Sequence, residues 1–406
     1  MVIGAGPRRF LATAMLHLAA LGVLMASGVV GLDALLWLFL VGFLGHTLVG
    51  FAWHLAPSIS RRRLVGVPSG PAYWVAAELA VLGGTVGLSG KLPPAVGQGV
   101  SFAAAVLWLL VSAVFTAALL RSSRGPALGT PPAPRPADAF AAKLFLLSWS
   151  FGVAAAALWV LSAVQDGPGL GYWLAGVHAF VLGQVALLIF GVSLRLLPRF
   201  VGADGPRWLA GALVASAVVG ALGIPATMLL VPVGEIWVVG VPGLFEGMAA
   251  LLFLFQLLWI GARATTPRRA HVIYLAGAVL LCAGGSLGFR MVTTSDLAIV
   301  GIHAWTTLLG FTGLMVLGMW FSMIAPFQFL SHRWTLRALA VGAILQVSAV
   351  LLVWSELAIP RSAVALATVL AGGLEAVLGI LWAFGTLPVL FPSLLSRRRH
   401  AGRNAA

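Results

Sequence analysis

Apolar residues fill runs of about twenty positions along nearly the whole chain, and short polar or basic stretches separate them. A helix of that length crosses a hydrocarbon layer of ~30 Å. Backbone in lipid must satisfy its own hydrogen bonds, which selects helices. The alternation expected of a membrane β-barrel is absent. The pattern predicts helices at about 9–31, 33–57, 71–90, 96–120, 139–163, 170–197, 206–230, 236–262, 270–291, 297–326, 334–355 and 362–391. The expected fold class is all-α, a polytopic membrane protein of twelve spans.

One arrangement recurs inside these spans. The stretch Gly301–Phe327 carries Gly310, Gly318 and Pro326, Gly176–Phe200 carries Gly183, Gly191 and Pro198, and an earlier span carries Gly42, Gly50 and Pro57. The first glycines of successive copies lie 141 and then 127 residues apart. This predicts three pseudo-repeats of four helices within a single integral membrane domain. Repeat 1 covers about 9–120, repeat 2 about 139–262 and repeat 3 about 270–391. A linker spans 121–138, Pro-rich from 126 on, and a basic tail spans 392–406. The glycine pairs permit close helix approach, and each proline marks the exit from its span. Glu246 in GLFE and Glu375 in GGLE lie 129 residues apart and extend the correspondence. The matching position in the first group, near Ala105, has no carboxylate.

Composition removes other classes. The chain is 61% hydrophobic and 8% charged, against roughly 25% charged residues in soluble domains. A net charge of +14 suits nucleic acid in principle, but its placement reads as topology. Of 24 Lys and Arg, 21 fall at the two ends and on every second loop; Lys91, Arg290 and Arg361 alone lie opposite. The expectation is a multi-pass protein of the cytoplasmic membrane, with both termini cytoplasmic, lipid as its partner and no nucleic acid. MVIGAGPRRF runs into the first span without a cleavage signal, so that span reads as a retained anchor. The single Cys282 excludes an internal disulfide and a thiolate cluster. Trp37, Trp173 and Trp208 near span ends suit an aromatic belt. No nucleotide-binding, zinc-protease or hydrolase motif stands in a convincing context.

Ionisable groups inside a membrane are costly, so each is a functional candidate. Depths at ~1.5 Å per residue sort them into two layers. The outer layer holds His178 and His303, with Glu246 and Glu375 at compatible depth. The inner layer holds His46, His54, His17 and Glu78, with His46 lying ~16 Å deeper than His303. Any single histidine more often just bonds a neighbouring helix. The related settings GVHAF and GIHAW favour a ligand role for His178 and His303, although their two-residue offset would turn them apart on ideal helices. Glu246 and Glu375 read as metal ligands, proton-relay groups or helix-linking acids. His54 takes the place of Arg195 and reads as interfacial.

Twelve spans in three groups, with His near the outer start of the sixth and tenth, resemble the catalytic subunit of haem-copper oxidases. They also resemble twelve-span nitric-oxide-response proteins of the NnrS type. The stretch IHAWTTLLGFTGLMVLGMWFSMIAPF is the part most similar to the oxidase helix that carries His-x-His. The resemblance implies haem, and copper beside it, in respiratory or nitric-oxide-related chemistry. It implies His303, His178 and His46 as cofactor-binding residues and His178, His303, Glu246 and Glu375 as metal ligands. Trp305 stands where an oxidase has its second histidine, and the seventh span lacks the copper-ligand pair. A complete oxygen-reducing centre is therefore not assembled, and the expectation is a degenerate relative of these enzymes. Two other classes stay open: a transporter or channel without a redox cofactor, and a structural subunit of a membrane electron-transfer complex.

Overall fold

The computed structural model describes residues 5–60, 62, 64–68, 70–125, 135, 137–165, 170–230, 233–265, 270–320, 332–355, 367 and 369–379. Helices fill this part of the chain, and no strand forms among the described residues. In order they are α1 Ala5–Ser27, α2 Leu32–Trp37, α3 His46–Ser60, α4 Pro71–Gly87, α5 Pro94–Ser123, α6 Asp138–Val164 and α7 Leu170–His178. There follow α8 Leu187–Val201, α9 Arg207–Leu230, α10 Gly240–Ala262, α11 Ala270–Thr294, α12 Val300–Trp305, α13 Leu314–Met319 and α14 His332–Ser355. Among the described residues, nine helical stretches are long and apolar enough to cross a membrane. Shorter apolar helices cover Ala340–Ser355 and Val369–Gly379. Pro326, Arg361, most of the Pro-rich linker and the basic tail lie outside the described residues.

Local chemistry sets several boundaries. Pro71 and Pro94 open α4 and α5, where a missing N–H costs nothing. Gly202, at φ 72°, ends α8 in the left-handed conformation that glycine adopts without strain. Pro57 and Pro198 stand inside their helices rather than at the exits, because α3 continues to Ser60 and α8 to Val201.

Three stretches wind as π-helix: π1 Leu38–Gly45, π2 Ala179–Ala186 and π3 Thr306–Gly313. Each joins two α-helical pieces into one rod. Each has eight residues and starts four before Gly42, Gly183 or Gly310. Wide π turns are rare and occur mostly at functional sites.

The three rods form the centre. Their apolar windows are 100%, 94% and 78% buried, against 33–39% for α9, α10 and α11. Ring contacts knit them together: Phe39 meets Trp305 at 6.3 Å, Phe51 meets Trp320 at 5.8 Å, and Phe190 meets Phe311 at 6.4 Å. The outer helices show large side chains such as Leu79, Leu110, Leu222 and Leu251, each more than half exposed. So much apolar surface is unsuited to water.

α1 seals against the helix over Val369–Gly379. A Cβ on Gly22 would lie 2.1 Å from the backbone nitrogen of Ala376, and one on Gly372 would lie 2.5 Å from that of Ala26. Small residues thus bring the two backbones together.

Candidate metal centre

The side chains of His17, His46 and Glu78 converge between α1, α3 and α4. Each comes from mid-helix or from a π junction. His17 sits at the middle of α1, over Gly42, where a Cβ would come within 3.1 Å of the imidazole. His46 is the first residue after π1, and Glu78 lies midway along α4. His46 is fully enclosed, with Phe10 and His17 at 5.1 Å between ring centroids and Trp108 stacked at 6.2 Å.

The hydrogen bonding of His46 decides what the cluster offers. Its Nδ1 lies 3.0 Å from the carbonyl oxygen of Val41. A carbonyl only accepts, so Nδ1 carries the proton and Nε2 of the neutral ring presents a lone pair. That Nε2 lies 3.2 Å from Glu78 Oε1, and His17 Nε2 lies 3.0 Å from Glu78 Oε2. His17 Nε2, His46 Nε2 and Glu78 Oε1 are buried, and apart from these approaches they meet no other polar partner among the described residues. With His17 also protonated on Nδ1, acceptors face one another across about 3 Å in an apolar interior. Buried polar groups are rarely left so, and a cation between them removes the conflict. Two imidazoles and a carboxylate are a familiar transition-metal set.

The remaining sequence candidates lie elsewhere. His178 Nδ1 bonds Leu174 O at 2.9 Å and His303 Nδ1 bonds Gly284 O at 2.8 Å, so each ring keeps an Nε2 lone pair. Neither Glu246 nor Glu375 joins them in a three-residue ligand group. Both oxygens of Glu246 are buried without a partner, one facing Gly220 of α9. Glu375 accepts from Gln346 Nε2 at 2.9 Å, and its second oxygen has no partner. His54 is buried in α3 outside the cluster.

Comparison with protein-family models and with curated proteins finds no match. Chemistry must therefore be argued from the side chains themselves.

The resemblance implies haem and copper, and the residues can be tested against each. The lone pairs around His46 suit an ion. A macrocycle has no room there, because Phe10, His17 and Trp108 already pack around that ring. A cavity of about 220 Å³ opens beside Trp37, Trp159 and Trp173, and no histidine lines it. Trp37 is itself buried, donating to Ala80 O, and stacks near Trp173 instead of sitting at an interface; Trp208 is exposed.

Glu78 is the residue that sequence reasoning valued least. It is the carboxylate that the two inner histidines share.

Proposed function

We propose that this chain is a multi-pass membrane metalloprotein holding a transition-metal ion at His17, His46 and Glu78. One observation carries the reading: two buried imidazoles and a carboxylate converge in an apolar interior, with their Nε2 and Oε atoms 3.0 and 3.2 Å apart. An ion there supplies a Lewis acid or an electron-carrying centre inside the bundle.

The wider reading is twelve spans in three units of four, allied to haem-copper oxidases and NnrS-type proteins and acting in respiratory or nitric-oxide-related chemistry. The common register of π1, π2 and π3 on Gly42, Gly183 and Gly310 supports it. The exposed apolar belt supports a bilayer, and the one-sided Lys and Arg support cytoplasmic termini. A second reading, haem on His303 or His178, is favoured by the Nε2 lone pairs that their Nδ1 bonds to backbone carbonyls leave open.

Elemental analysis and visible spectra of the purified protein test both. The ion reading expects about one transition-metal ion per chain. It should be lost in His46→Ala and kept in His54→Ala. A folded wild-type protein that takes up no ion after reconstitution overturns the reading. The haem reading expects a Soret band that His303→Ala shifts or removes.

A further inference from the structure

We infer that the ion at His17, His46 and Glu78 is a monovalent soft cation, copper(I), rather than a divalent one. This rests on the metal reading above and extends it to the charge of the ligand.

The argument is a charge count in a closed space. To present Nε2 lone pairs, both imidazoles must be neutral, and His46 already commits its proton to Val41 O. Glu78 contributes one negative charge, and among the described residues no other acidic residue joins the group. The donor set therefore carries a net charge of −1. A monovalent ion brings it to zero, whereas a divalent ion leaves one uncompensated positive charge in the apolar interior, where charge is strongly disfavoured. A bound hydroxide would offset a divalent ion but needs space beside it. His46 is fully enclosed, and Phe10 and Trp108 press on its ring.

Donor type and spacing narrow the class. Two of the three donors are imidazole nitrogens, which suit copper and not sodium or potassium. Bonds of 2.0–2.1 Å would set donors roughly 3.3–3.6 Å apart. The observed approaches of 3.0 and 3.2 Å need only a small opening. Longer bonds to an alkali ion would force the three helices further apart.

The test uses the full chain in detergent, stripped of metal, in a Cys282→Ala background so that the one thiol cannot bind the probe. Silver(I), an air-stable monovalent probe, and zinc(II) are titrated separately by calorimetry, with elemental analysis of the products. Copper(I) kept reduced by ascorbate is then used to compete for the silver site. The expected result is one silver per chain, displaced by copper(I), with zinc at least about a hundredfold weaker. Glu78→Gln, which removes the negative charge but keeps the shape, should weaken silver at least about tenfold. Zinc binding as tightly as silver, at one per chain and lost in His46→Ala, overturns the monovalent assignment and leaves the metal site standing. Failure of all three ions to bind the folded wild-type chain overturns both.

Discussion

His46 Nδ1 donates to the carbonyl oxygen of Val41, five residues earlier in the same rod. Val41 lies inside π1, where wide turns shift the usual pairing of carbonyls four residues ahead. The π segment thus helps place the ring and fixes which nitrogen is free. Its counterparts π2 and π3 are followed by Leu187 and Leu314, so the same backbone device is followed by a histidine in one rod only.

A bound ion should stabilise the fold, because an unfolded chain holds no such site. At an ion concentration about a hundred times Kd, linkage gives ~2.7 kcal/mol. The unfolding midpoint in detergent should rise with added ion and fall back with chelator. His17→Ala should abolish the response, and an unchanged midpoint in wild type counts against the site.

Gln346 and Glu375 form a second buried polar contact, between α14 and the helix over Val369–Gly379. Gln346→Leu leaves the Glu375 carboxyl without its one donor and should cost about 1–3 kcal/mol. Replacing Glu375 as well should recover part of that loss. A double-mutant cycle measures the coupling, expected at about 0.5–3 kcal/mol.

The glycine register was legible in the sequence because a missing side chain is a missing side chain in any conformation. Gly42, Gly183 and Gly310 each stand fifth in one of the three π segments. What could not be read was rotation. Counting at 1.5 Å per residue put His17, His46 and Glu78 at one depth, but depth says nothing about which face each presents. Three separate helices had to be turned before Glu78 met both rings. The π segments add a local change of pitch with no obvious residue signature. Glu246 and Glu375, which compatible depth had grouped with the outer histidines, form no three-residue ligand group with them.

The seam between α1 and the Val369–Gly379 helix tolerates no side chain at Gly22, where a Cβ would lie 2.1 Å from the Ala376 backbone. Gly22→Ala should destabilise by about 1–3 kcal/mol through overpacking. Gly285→Ala in α11, with nothing within 4 Å of the new methyl, is the control and should be neutral or mildly stabilising. Equal effects would mean that the seam is not closely packed.

Orientation can be read with single thiols, since Cys282→Ala leaves a cysteine-free chain. Lys91 and Arg124 are exposed at helix ends that the charge pattern assigns to opposite sides. In intact cells an impermeant maleimide should label Lys91→Cys, and should label Arg124→Cys only after permeabilisation. The reverse pattern would invert the topology.

The seam also sets an order of events at the ribosome. α1 is made about 350 residues before its partner helix over Val369–Gly379, so Ala19, Gly22 and Ala26 wait beside lipid while the helices between them are inserted. His17 shares α1 with these residues, yet its own partners on α3 and α4 arrive within the next sixty or so positions. The cluster of His17, His46 and Glu78 can therefore form early, leaving the small-residue flank of α1 ready for the helix over Val369–Gly379 to dock. A chain truncated before residue 369 would keep the metal ligands but leave that flank open to whatever helix lies nearby.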